Sequence, residues 1–360
     1  MVNKLIIRNA ETLDGLSIAL LAQKNNLLLD GLTPTLFGRM LQWLHDDPPA
    51  GNKIQLVAQD SQKNIVAHYG GVPFQFQWGE KQIFGLLASN LVVSNDFKGQ
   101  SPFLALQRNF AKVYLEHDYA FAYGAITRKG VLEPHLRMGW KLAGSLHVYV
   151  RPIAADKIFS KISKSPFFSK LLSGPIKFGQ FAFDKASIPR SSTVKICSIA
   201  KFDESWTQFL RCWMAEQDVC AVRSPEILNW RYCQFAERNY KILAAYKGLS
   251  PLGYIVLRRM PMRGFTTIAI TEVLAMKENP DVIKSLLREA MLYAQTAKVD
   301  LVTTALTDHD NLRLLLYKSG FIRTTEKFSI VTHCPKSFLK EPISALFPRW
   351  RLNWFDHDYV

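Results

Sequence analysis

Apolar residues along this chain fall into short runs separated by turn formers, and the clearest pattern lies in the first half. QIFGLLASNLVVSND (82–96) is apolar and turns β-branched toward its end, which predicts a central strand. FKGQSPF follows, then LALQRNFAKVYLEHD, whose Leu104, Phe110, Ala111, Val113 and Tyr114 recur at helical spacing. Pro102 suits the first turn of that helix, where a missing N–H has no intrahelical partner to lose. A second apolar strand runs from Tyr119 to Ala125. Strand, glycine-containing loop, helix and strand make a βαβ unit. Its helix N-terminus, with free N–H groups and the positive end of the dipole, suits an anionic phosphate.

Self-comparison shows the pattern twice. Placing Trp43 on Trp230 aligns, without a gap, Leu56 with Leu243, Ala58 with Ala245 and Ile65 with Leu252. Each copy then reads helix end with Trp, loop, strand, turn, strand, the turns being DSQKN and KGLSP. A second anchor, HLRMGWKLAG (135–144) against LYKSGFIRTT (316–325), places Gly139 on Gly320 and Trp140 on Phe321. Both tryptophans are expected to pack helix against sheet. The predicted organisation is an N-terminal domain (1–153), a basic linker (154–190), a C-terminal domain (191–335) and an aromatic tail (336–360) docked on a domain. A chain of 360 residues is the right size for two such domains.

Composition sets limits on this picture. Hydrophobic residues make up 48% of the chain and charged residues 21%, which excludes a largely disordered polypeptide. The longest early apolar run, Leu16–Ala22, follows Glu11 and Asp14 and is too short to span a bilayer or to form a signal-peptide core. A cytoplasmic protein is expected. The net charge of +15 attracts polyanions without choosing among them. The linker carries seven basic residues against two acids, with apolar pairs such as Phe167–Phe168. It reads either as a surface helix packed between domains or as peripheral contact with an anionic membrane. No zinc finger, helix-turn-helix or RNP-like motif is present, so a nucleic-acid partner is not expected. The five cysteines form no CxxC pair or Cys/His cluster, so no metal is assigned and the thiols are expected reduced.

The βαβ unit and the second anchor together resemble the GNAT acyltransferases, the acetyl-CoA-dependent N-acetyltransferase family. Lys98-Gly99-Gln100-Ser101-Pro102-Phe103 stands where that family has its Q/R-x-x-G-x-G/A pyrophosphate loop, and Asn311…Tyr317-Lys-Ser-Gly320-Phe321 matches its Asn…Leu-Tyr-x-x-Gly-Phe motif. The resemblance implies an α/β (α+β) fold of two tandem GNAT-like domains, each a mixed central sheet flanked by helices. It also implies acetyl-CoA as co-substrate, bound by Val93, Lys98, Gly99, Gln100, Ser101 and Phe103. A β-bulge on the central strand would donate to the thioester carbonyl, and Tyr317 would be the acid. AHYGGVPF, the FKGQSPF loop and the tandem copy are similar to bacterial acyltransferases of surface-glycan biosynthesis, which implies an amine acceptor such as an amino sugar.

The two copies divide these features. Copy two replaces the phosphate loop with AMKENPDVIKSLL, whose Glu278 and Asp281 would repel a pyrophosphate; copy one has Leu136 where Tyr317 stands. Copy one is therefore read as the donor site, with His68, Tyr69, Asn90 and His135 as its polar groups and His68 as candidate general base. Taken singly, each of these fits better as a residue hydrogen-bonded to backbone or solvent. The alternatives are an aminoacyltransferase of the Fem type, which pairs two such folds and uses aminoacyl-tRNA, or a catalytically silent binding protein.

Overall fold

The computed structural model describes residues 5–28, 32–46, 48–97, 102–154, 194–334 and 347–357. Lys98, Gly99, Gln100 and Ser101 lie outside the described residues, as do nearly all of the basic linker, residues 336–346 and Tyr359.

In chain order the elements are β1 (Ile6–Asn9), α1 (Asp14–Lys24), α2 (Pro34–Asp46), β2 (Ile54–Gln59), β3 (Ile65–Trp78), β4 (Lys81–Val93), α3 (Pro102–Glu116), β5 (Phe121–Ile126), α4 (Lys129–Arg137) and β6 (Lys141–Pro152). Then follow β7 (Lys195–Ile199), α5 (Trp206–Ala215), β8 (Val219–Ala221), α6 (Pro225–Asn229), β9 (Tyr240–Lys247), β10 (Ser250–Met262) and β11 (Phe265–Ala275). The last are α7 (Pro280–Thr296), β12 (Leu301–Thr307), α8 (Leu312–Lys318), β13 (Ile322–His333) and β14 (Trp350–Arg351). From α2 to β6 and from α6 to β13 the order of elements repeats, and Trp230 opens a π-helical turn directly after α6.

Two compact units divide this chain: residues 1–144 with 329–348 and 357–360, and residues 145–328 with 349–356. The divisions at 144/145 and 328/329 fall inside β6 and β13, not in the expected linker. In the first unit β1, β2, β3 and β4 are antiparallel neighbours in that order, and β4 pairs in parallel with β5. Beyond β5 comes the distal part of β13, with Ile330 on Ala125 and Val331 on Gly124. In the second unit β7, β9, β10 and β11 are antiparallel, β11 is parallel to β12, and β12 pairs with the distal part of β6. Each unit thus takes its last strand from a segment that begins in the other.

The helices form because their apolar positions match the helical period. Buried Pro102, Leu106, Phe110 and Tyr114 make one stripe on α3, at every fourth residue. Val282, Leu286, Leu287, Ala290, Met291 and Ala294 do the same on α7. Burying each large side chain contributes roughly 1.5–3 kcal/mol, the main stabilising term. The Gly139/Gly320 anchor also has a physical cause. Both glycines end a helix with positive φ, +94° and +79°. The N–H of Trp140 bonds to the His135 carbonyl and that of Phe321 to the Leu316 carbonyl, a Schellman-type closure. The aromatic that follows each glycine is buried.

The aromatic tail is docked where it is described. Trp350, Trp354 and Phe355 are buried in the second unit, and β14 pairs with β8. Asp356 is fully buried there and accepts from Arg223 Nη2 at 3.4 Å, while Arg223 Nε donates to Glu272 at 3.0 Å. The Arg223 guanidinium lies 4.1 Å from the centre of the Phe355 ring. Truncating that ring removes a fully buried aromatic and leaves a cavity beside a buried ion cluster. Phe355→Ala is expected to lower the stability of the second unit by about 3–5 kcal/mol, read from urea denaturation.

Candidate active site in the first unit

The site begins where the parallel pair β4–β5 of the first unit comes apart. β4 and β5 are hydrogen-bonded at Gly85–Phe121, Leu86–Ala122 and Leu87–Tyr123, and there the ladder stops although both strands continue. On its other side β4 carries a bulge. Ala67 faces Val93 and His68 faces Val92, but Gly70 faces Ser89, so Tyr69 is opposed by both Asn90 and Leu91. Asn90 takes φ of +53°, a left-handed conformation that asparagine tolerates better than most residues. The extra residue turns the end of β4 away from regular pairing and disposes its backbone groups for use other than in a ladder.

Beyond this point lies a cavity of about 710 Å³. Leu91 and Val93 of β4 form one wall, Pro102, Phe103 and Leu104 at the start of α3 a second, and Gly130, Val131 and Pro134 of α4 a third. Asn25 and Leu27, just after α1, complete it with Asn95 and Phe97. The end of α1 is clamped to this wall: Asn25 Oδ1 accepts from the Asn95 N–H at 3.1 Å, and Lys24 pairs with Asp96 at 2.7 Å. Among the described residues two cations line the cavity, Arg128 and Arg137, at opposite ends of α4. No acid is among the described residues lining it. Arg128 Nη2 reaches the Leu91 carbonyl at 3.4 Å, which places its guanidinium at the bulge.

Of the sequence candidates, Val93 and Phe103 line this cavity. His68 does not; it is fully buried on β3, and its Nδ1–H donates to the Asn90 carbonyl at 2.8 Å. Burial pushes its pKa down to about 4, with weaker opposing contributions from the Asn90 hydrogen bond and from Asp14. A neutral imidazole therefore braces the bulge from behind. Asn90 contributes backbone geometry, and its side-chain amide donates at 3.4 Å to Ser89.

Tyr69 and His135 belong to a buried network. The Tyr69 hydroxyl donates to His135 Nε2 at 3.0 Å and accepts from Gln107 Nε2 at 2.9 Å. His135 Nδ1–H donates to the Val131 carbonyl, and Trp140 Nε1 donates to Gln107 Oε1. The network ties β3, α3 and α4 together behind the cavity, where Phe103 packs 5.2 Å from the His135 ring. Each group is satisfied, so these residues hold the walls in place. Tyr317 lies in the second unit, half exposed on α8, with its ring 5.7 Å from that of buried Tyr149.

Arg128, Arg137 and the Asn25–Leu27 segment were not among the sequence candidates. Arg128 carried one readable signal, its position two residues past the second strand of the βαβ unit. The others come from segments whose proximity to β4 is purely tertiary.

In the second unit the corresponding strands also part. β11 and β12 pair only from Thr267–Leu301 to Ala269–Thr303. There the chain itself covers the strand ends: Arg351 bonds to Glu278, just past β11, and to Asp310, just past β12. The His309 ring donates to the Trp350 carbonyl at 3.0 Å. The N-terminus of α7 is capped by Asn279, whose side chain accepts from the Asp281 and Val282 N–H groups.

No family model and no curated protein sequence matches this chain. Its fold matches solved structures. It is similar to a GCN5-related N-acetyltransferase from Anabaena variabilis, with TM-score 0.61, 12% identity, and coverage of 92% of this chain and 73% of the other. It is also similar to the N-myristoyltransferase of Saccharomyces cerevisiae, solved with bound myristoyl-CoA, with TM-score 0.64, 9% identity, and coverage of 93% and 80%. The fold is that of the GNAT N-acyltransferases, as the sequence resemblance implied.

His68 gives this site a pH dependence. The folded protein keeps the imidazole neutral down to about pH 4, whereas the unfolded chain takes up its proton near 6.5. Between these values the unfolded state binds more protons. Stability from this group is thus complete above pH 6.5 and falls as pH drops toward 4, by roughly 3 kcal/mol in total. Urea denaturation at stepped pH is expected to show this loss, and His68→Gln, which keeps a donor for the Asn90 carbonyl, is expected to flatten it.

Proposed function

We propose that this protein is an acyl-CoA-dependent N-acyltransferase, and that its acyl donor binds in the cavity of the first unit. The observation that carries this reading is the coincidence of three features: parted parallel strands, a bulge at Asn90–Leu91, and an apolar cavity running from the bulge to the start of α3. A thioester placed at the bulge would present its carbonyl oxygen to backbone donors freed from the ladder. Its pantetheine arm would lie between Val93 and α4, and its phosphates would approach the N-terminus of α3. In the transfer the amine nitrogen attacks the thioester carbon, the C–S bond breaks, and the thiolate takes up the proton that the amine gives off. The solved proteins of this fold act as N-acetyltransferase and N-myristoyltransferase, and an amine acceptor is common to both. For this chain we take the acceptor to be a primary amine, with an amino sugar as the first class to assay. Donor binding is assigned to the first unit alone, because in the second unit residues 350–356 cover the parted strands and Asn279 occupies the helix N-terminus.

Gly130 offers a clean test. It lines the cavity, its φ is not left-handed, and an added Cβ meets nothing within 4 Å. A large side chain there should leave the fold intact and obstruct the cavity. CoA at a hundred times its dissociation constant is expected to stabilise the wild-type protein by ~2.7 kcal/mol, seen as a rise in Tm. Gly130→Trp is expected to retain the unliganded Tm and lose the rise. A wild-type protein with no shift at millimolar CoA contradicts the assignment.

A further inference from the structure

Arg128 is out of keeping with the walls around it. The cavity is lined mainly by leucine, valine, phenylalanine and proline, with Asn25 and Asn95 among them. The Arg128 guanidinium is accessible along the cavity, and its one described hydrogen bond is the long contact to the Leu91 carbonyl. No carboxylate pairs with it among the described residues, whereas the neighbouring Lys129 has Glu133 at 3.7 Å. Burial pulls the Arg128 pKa below its ordinary value through desolvation. A guanidinium with most of its five donors unspent, set against apolar walls, is matched best by a carboxylate, which takes two parallel hydrogen bonds.

Position decides which anion this is. The contact to Leu91 puts Arg128 at the bulge, where the strands part and where the acyl group of a thioester would lie. The start of α3, the place for CoA phosphates, is a separate wall of the cavity formed by Pro102, Phe103 and Leu104. Arg137, at the far end of α4, is separated from Arg128 by the length of that helix, about 13 Å at 1.5 Å per residue. We propose that the site selects a short acyl group ending in a carboxylate, a dicarboxylic acid half-thioester, and that Arg128 is the residue that reads it. This rests on the acyl-CoA reading above.

The test compares two donors of equal chain length, succinyl-CoA and butyryl-CoA, by calorimetric titration of the full chain. Wild-type protein is expected to bind succinyl-CoA about tenfold or more tightly than butyryl-CoA, as a charge-assisted bidentate pair allows. Arg128→Gln is expected to bring the ratio of the two dissociation constants to within about twofold of one, and Arg128→Lys to restore part of it. Arg137→Gln is the comparator, expected to leave the ratio as in the wild type. Two donors bound equally by the wild type overturn the dicarboxylate proposal while leaving the donor site standing. A ratio that survives Arg128→Gln assigns the selection to another residue and likewise overturns it. Failure of both donors to bind removes the acyl-CoA reading, and this proposal with it.

Discussion

The parallel pairing of β4 with β5 ends after three residue pairs, and the chemistry proposed for the first unit depends on that early end. A longer ladder would consume the backbone donors and acceptors of Ala88–Val93 and close the space between the strands. The bulge at Asn90–Leu91 prevents this by adding a residue on the β3 side, which increases the local twist and re-aims the end of β4. The bulge must in turn be held, since an asparagine with φ of +53° is not a low-energy choice on its own. His68 supplies the restraint through its bond to the Asn90 carbonyl, with its imidazole held neutral by burial.

The second unit meets the same constraint differently. Its parallel strands also pair over a short stretch, but their ends are covered by Trp350–Asp356 of the same chain. The buried Arg223–Glu272–Asp356 cluster fixes that segment, with Tyr232 and Tyr254 donating to Glu272. Burial raises the Asp356 pKa to about 6 against the pull of Arg223. Protonation therefore favours the folded state as pH falls from 6 toward 4, the opposite sense to His68. One architecture thus supports an open cavity in one unit and a strand parting closed by its own chain in the other.

Much of the architecture was legible because its determinants are local. The stripe on α3 depends on residues four apart, and the Gly139 and Gly320 closures depend on one helical turn and a glycine. Both survive as sequence patterns, which is why the repeat could be found. The roles of polar residues were less legible. His68, Tyr69 and His135 look alike in sequence, yet one braces a bulge and two join a network with Gln107 and Trp140. Apart from Val131, four residues before His135, their partners lie between 22 and 66 residues away, beyond what spacing can reveal.

By itself the sequence determined the order of elements, their duplication, the βαβ unit with its helix start at Pro102, and the aromatic character of the tail. These follow from short-range periodicity, turn chemistry and composition. The tertiary structure decided where each unit takes its last strand, that residues 350–356 cover the parted strands of the second unit, and that Arg128 stands at the bulge among apolar walls. Such facts depend on which distant segments share a surface, and burial and pairing energies settle that only when the whole chain is packed.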